Sequence, residues 1–319
     1  MKIDGFLLAI TVAVIAAFTA PWLGGSGGPL HMGLVTDVGV ALVFFLHGAA
    51  IAPQAMRAAA SNWRLHAVIQ ASTYLLFPLI GLAVWYGLPQ LAPPLRIGVF
   101  FLCAISSTIS SSVAMTALGR GNVAGAVFNA SLTSLLGMVL TPLLMGLVMA
   151  SGTQVSPVLS QIGGIVVKLL LPFALGQLLR GLVAALLGQY HAWVGKADRL
   201  VIVLIVYTAF CDAVLAGLWT RDKALALIVI AALCCLMLAL VLAVTTVASR
   251  ALGLSKPDEI AAVFCGSKKS LANGAPIAKV IFGADPALSL ILMPLLLYHQ
   301  IQLVVCAVIA RQYAARASD

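Results

Sequence analysis

Charge is scarce in this chain. Asp, Glu, Lys and Arg make up 8% of its 319 residues, about a third of the share an ordinary soluble domain carries. Polar linkers and runs of like charge are missing too, which leaves no stretch for a separate soluble domain. The net charge of +9 is dispersed, with Lys and Arg standing singly between apolar runs, so there is no basic stripe for nucleic acid. No Cys-x-x-Cys and no paired histidines occur. Cys103, Cys211, Cys234, Cys235, Cys265 and Cys306 all fall inside apolar runs and read as small core residues, not metal ligands. No Gly-x-Ser with a plausible His partner and no glycine-flanked aspartate pair appear, which argues against an intramembrane protease. No motif calls for a cofactor.

What the chain has in abundance is apolar surface: 62% of residues are hydrophobic and the mean hydropathy is +1.12. Runs of roughly 18 to 25 such residues recur along its length, so lipid is the solvent for most of this surface. Hydropathy and turn signals place spans near 5–21, 32–51, 65–87, 96–118, 122–150, 158–185, 199–219, 223–249, 260–283 and 286–310. The expected fold is an all-α polytopic membrane protein of ten transmembrane helices. Phe6 to Ala20 resembles a secretory signal, but Pro21 follows at once and Asp4 dilutes the basic region, so it reads as a retained first helix.

Lys and Arg resist translocation, which sets the orientation. With a cytoplasmic N-terminus the inner segments hold Lys2, Arg57, Arg64, Arg120, Arg180, Lys196, Arg199, Arg250, Lys256, Arg311 and Arg316, against Arg96, Arg221 and Lys223 outside. Both termini are therefore expected in the cytoplasm. The polar stretch from Ser151 to Ser156 divides the spans into halves, 1–150 and 151–319, each with five. An odd number per half makes the halves run oppositely, the plan of an inverted repeat.

Two spans have polar centres. In span four, Ser106, Ser107, Thr108, Ser110, Ser111 and Ser112 put six hydroxyls in seven positions. Such hydroxyls either pack a close helix interface or take up backbone groups where a helix unwinds around a site. Span nine places Gly266, Ser267, Lys268, Lys269, Ser270, Asn273, Gly274 and Pro276 near its middle. A cation at that depth costs several kcal/mol, so the lysines need partners, water or an anionic ligand unless both snorkel to an interface. The expected site is the crossing of two broken helices, spans four and nine, furnished by Ser110, Ser111, Ser112, Asn129, Thr133, Ser267, Lys268, Lys269, Ser270 and Asn273. Asp37 and Asp212 read as buried at membrane depth, either as ion-pair partners of a span-nine lysine or as proton carriers in a coupling step. The expected partners are the bilayer and a small solute, with a proton or sodium as the candidate coupling ion.

The stretch Ala117 to Ala124, with Leu140 to Leu144 at a matching distance, resembles the bile-acid:sodium symporter family. Ser107 to Thr116, Phe128 to Ser131, Val206 to Asp212 and Phe264 to Ala272 resemble the branch containing solute carrier family 10 member 7 and its bacterial relatives. The resemblance implies a bacterial inner-membrane transporter of an organic anion, with a panel domain and a core domain interleaved across the repeats and helices four and nine crossed in the core. It also implies a sodium site, and the matched positions depart from it. Ser112 matches a hydroxyl ligand, but Val113 stands in place of an Asn, Ala126 and Ala130 in place of hydroxyls, Phe264 in place of the acid and Lys268 in place of the amide. The expectation is a transporter whose sodium cage is largely dismantled. The rival reading is a non-transporting membrane regulator of ion or calcium homeostasis built on a carrier scaffold.

Overall fold

Long apolar stretches bounded by Gly, Pro and Asn become helices whose ends are capped by those same residues. The computed structural model describes residues 5–50, 62–149, 155–182, 191–219, 223–283 and 285–315. Among them every regular element is helical: α1 (Gly5–Thr19), α2 (Pro21–Gly24), α3 (Met32–Ala50), α4 (Trp63–Gly87), α5 (Pro93–Ala104), α6 (Ser110–Leu118), α7 (Val123–Met149), α8 (Val155–Leu178), α9 (His191–Leu215), α10 (Lys223–Ala251), α11 (Lys256–Ser267), α12 (Leu271–Phe282) and α13 (Leu288–Ala314). Five stretches, Met32–Ala49, Trp63–Gly87, Val123–Met149, Ala226–Ala251 and Leu288–Ala314, are long and apolar enough to cross a membrane. Residues 151–154 of the expected boundary between halves lie outside the described residues, as do Lys2, Arg57, Arg221 and Arg316 used for orientation.

The chain forms two compact units. One gathers 1–51, 150–223 and 275–292; the other gathers 52–149, 224–274 and 293–319. In the first, α3 packs on α8, and α9 packs on α1, α2 and α3. The α3–α8 contact is reciprocal. Gly48 faces the carbonyl of Phe173, and Gly176 faces the carbonyl of Phe45. A Cβ on either glycine would collide with backbone, so the two helices approach as closely as helices can, the use of glycine that lipid-embedded packing favours. Asp37 is not buried as expected: its side chain is 66% exposed, because it faces outward from α3, and it lies 3.9 Å from Lys279, a lysine of span nine. Asp212 accepts the Ser26 N–H at 2.8 Å and ties down the loop after α2.

In the second unit α11 packs against α4, α6 and α7. The seam is built from Leu65, Val68, Ile69, Ala126, Ala261, Ala262 and Cys265, where alanines admit close approach. Its polar end is organised by caps: Asn62 on the Leu65 N–H, Asn122 on the Gly125 N–H and Ser255 on the Asp258 N–H. Asp258 receives both Asn62 and Asn122 amides, at 3.0 and 2.7 Å, so one carboxylate joins the starts of α4, α7 and α11. Burial alone would raise the Glu259 carboxyl, but bonds from Lys256 and Arg250 hold it below the usual carboxylate range. Five of the six cysteines are buried; Cys235 is exposed.

Replacing Gly176 with Val should abolish the α3–α8 contact, since the clash is with backbone and has no rotamer escape. The expected outcome is loss of monodisperse protein on size-exclusion chromatography. The neighbouring exposed change Leu175→Val should leave the profile unchanged.

Candidate functional site

Both polar spans are interrupted where the residues demand it. α5 ends at Ala104 and α6 begins at Ser110; α11 ends at Ser267 and α12 begins at Leu271. Each break frees backbone groups that lipid cannot satisfy, so a donor or acceptor is needed for each.

At the end of α5, four successive carbonyls find donors from elsewhere. Lys269 Nζ donates to Cys103 O at 3.0 Å and to Ile105 O at 2.7 Å. Thr141 Oγ1 donates to Ala104 O at 2.9 Å, and Ser270 N donates to Ser106 O at 3.0 Å. The last of these links the two breaks directly. The third Lys269 proton goes to Thr73 O at 3.2 Å, and the ammonium sits 4.0 Å from the centre of the Phe77 ring. Thr73 O is available for a local reason. Residues Ser72–Leu76 form a π-turn in which Phe77 N–H bonds Ser72 O, and Pro78 has no N–H to give, so the helix leaves Thr73 O without a partner of its own. An ammonium has three donors, and Lys269 spends all three on carbonyls.

The break in α11–α12 is satisfied in the same way. Ser72 Oγ donates to Gly266 O at 2.8 Å and Tyr298 OH to Ser267 O at 2.7 Å. The Gln302 amide pairs twice with Lys269, accepting its N–H and donating to its C=O, both at 2.8 Å. Ser270 Oγ caps α12 by accepting the Asn273 N–H, and Asn273 Nδ2 donates to Ser106 Oγ and Ser134 Oγ at 2.9 and 2.7 Å.

Lys268 points elsewhere. Its side chain is fully buried, and its Nζ donates to Ser111 O at 2.9 Å in the first turn of α6. Beside it Ser112 Oγ donates to Phe264 O at 3.2 Å. Among the described residues no carboxylate forms an ion pair with either lysine.

Of the expected site residues, Ser111, Ser112, Ser267, Lys268, Lys269, Ser270 and Asn273 lie at or beside the two breaks. Ser110 starts α6 and is exposed. Asn129 and Thr133 form a separate polar layer: Asn129 Nδ2 bonds Gly125 O while its Oδ1 meets His66 Nδ1 at 3.1 Å, and Thr133 O receives the Tyr74 hydroxyl. Asp37 and Asp212 belong to the other unit, with the partners given above. Ser72, Tyr298 and Gln302 carry as much of the break as the lysines do. In the sequence Gln302 shows only as an uncharged amide within an apolar run, with no charge to mark it as part of a site.

Comparison with known proteins bears on this arrangement. Residues 4–315 match the model of the SBF-like CPA transporter family. The chain belongs to that family. It is 46% identical over 317 residues to an uncharacterized protein of Pseudomonas aeruginosa, covering 99% of this chain and 94% of the relative. It is 42% identical over 317 residues to YfeH of Escherichia coli, a protein named as a symporter, covering 98% and 93%. It is also 31% identical over 314 residues to the mouse protein named sodium/bile acid cotransporter 7, covering 96% and 91%. The resemblance read from the motifs holds, and with the apolar helices it makes this family member an integral membrane protein of a transporter family.

The two lysines should respond differently to removal. Lys269→Met strands three buried carbonyls, each costing about 1–3 kcal/mol, and should destabilise the protein by about 3 kcal/mol after the regained desolvation of the ammonium is allowed for. Lys268→Met loses one bond and should cost about 1 kcal/mol or less. Thermal unfolding in detergent checks the order; equal midpoints for the two variants would refute it.

Proposed function

We propose that this family member is a secondary transporter of a small organic anion, working by alternating access without sodium coupling. The reading includes ten membrane spans arranged as two inverted five-helix repeats, 1–150 and 151–319, with spans four and nine as the crossed pair and both termini in the cytoplasm. The family match and the transporter names of the relatives favour transport over catalysis. The observation that carries the rest is the Lys269 ammonium inside a ring of three carbonyls, Thr73 O, Cys103 O and Ile105 O.

Three carbonyl oxygens converging on one point are the ligands a monovalent cation seeks, and here a tethered cation holds them. A free sodium ion would add a second positive charge without the carboxylate that a cation cage ordinarily brings. Phe264 and Lys268, at the positions where the resemblance implies an acid and an amide, deepen that deficit. The remaining positive charge at the crossing belongs to Lys268, whose ammonium donates to one carbonyl, that of Ser111. With two donors left, Lys268 is the group best placed to meet an anionic headgroup, assisted by the hydroxyls of Ser110 and Ser111.

Two measurements test the reading together. Thermal unfolding of the purified protein should be the same in sodium and in potassium at equal ionic strength, and a screen of organic anions should yield at least one that stabilises the wild type saturably. Lys268→Met should fold yet lose that response. Saturable stabilisation by sodium over potassium would overturn the coupling claim, and an anion response that survives Lys268→Met would overturn the assignment of the binding group.

A further inference from the structure

The second unit carries a cavity that the transport site does not use. It runs between α4 and α10 with a volume of about 340 Å³, walled by Ala67, Ala71, Leu75, Leu79, Val244 and Ala248. Ser72 and Thr245 also line it, but their hydroxyls are committed to Gly266 O and Val241 O at 2.8 and 2.7 Å. The wall therefore offers a polar solute nothing.

Its shape selects the occupant. The lining residues on α4 run from Ala67 to Leu79, ~18 Å along the helix, about the length of one leaflet of a ~30 Å hydrocarbon core, and an elongated apolar groove open at its side suits one hydrocarbon chain. At one end the groove stops at Leu252, whose carbonyl accepts Arg64 Nη1 at 3.3 Å. Arg64 is exposed and forms no ion pair with a carboxylate among the described residues. Beside it Trp63 is 65% exposed, and the pair makes the aromatic and cationic signature of a membrane interface.

We infer that the α4–α10 groove binds an anionic phospholipid of the bilayer, one acyl chain lying along Ala67, Ala71 and Ala248 and the phosphate meeting the Arg64 guanidinium. Arginine suits the task because its planar fork engages phosphate oxygens in pairs. The chain would rest against the π-turn that supplies Thr73 O to Lys269, so lipid occupancy supports the wall of the helix break from outside.

Native mass spectrometry of the full-length protein, incubated in detergent with dioleoyl phosphatidylglycerol or dioleoyl phosphatidylcholine, tests this. Wild type should retain the phosphatidylglycerol adduct in preference to phosphatidylcholine. Arg64→Gln should lose the preference while keeping lipid adducts, and Ala71→Trp, which fills the bore, should lose adducts of both. Ala248→Leu narrows the groove from the opposite wall and serves if Ala71→Trp does not fold. Equal retention of the two lipids by wild type, or undiminished adducts in the filled variants, would each overturn the assignment; so would a self-associated wild type whose filled variants fall to a lower oligomeric mass with lipid retention unaltered.

Discussion

A helix that stops inside an apolar bundle leaves carbonyls with no water to receive them, and the rest of this protein's polar architecture follows from how that cost is met. At the end of α5 the answer is a single ammonium. Lys269 reaches Cys103 O and Ile105 O at the negative end of the helix and finds its third acceptor in Thr73 O. Charge and dipole favour the same placement, since a cation at a helix C-terminus is stabilised by the partial charges it faces. The Phe77 ring 4.0 Å away completes the shell on a side where no carbonyl is available.

That one commitment constrains its neighbours. Holding Lys269 inward fixes the extended backbone between α11 and α12, whose own N–H and C=O are then taken by Gln302. Fixing the backbone places Ser270 against Ser106 and lets Asn273 bridge to Ser134 on α7. Five helices and a π-turn thus meet through a network in which nearly every freed group has a named partner. Lys268, one residue earlier in an extended stretch, must point the other way. One lysine is structural and its neighbour is left with spare donors, a division of labour imposed by backbone geometry rather than by chemistry.

Much of this was legible in the residues. The apolar runs marked each helix, and glycine, proline and paired lysines within span nine marked a break that falls at 268–270, while the hydroxyl run of span four marked one at 105–109. What the residues did not display was the partner of the lysines. Asp37 and Asp212 are the carboxylates the side-chain inventory offers, whereas the acceptors of Lys268 and Lys269 are main-chain oxygens that every residue possesses. Their availability depends on Pro78 withholding an N–H from a helix distant in sequence, a local signal whose consequence appears only when three helices are brought together. The same holds for Tyr298 and Gln302, ordinary members of an apolar run until the break gives them something to bind.

The central claim is that Lys269 acts as a tethered cation in a carbonyl cage, and chemical rescue tests it most directly. In Lys269→Ala the cage is vacated, so methylammonium should restore thermal stability saturably, while tetramethylammonium, which has no N–H to donate, should not, and wild type should respond to neither. A variant as stable as wild type without added amine, or one restored equally by both cations, would contradict the account.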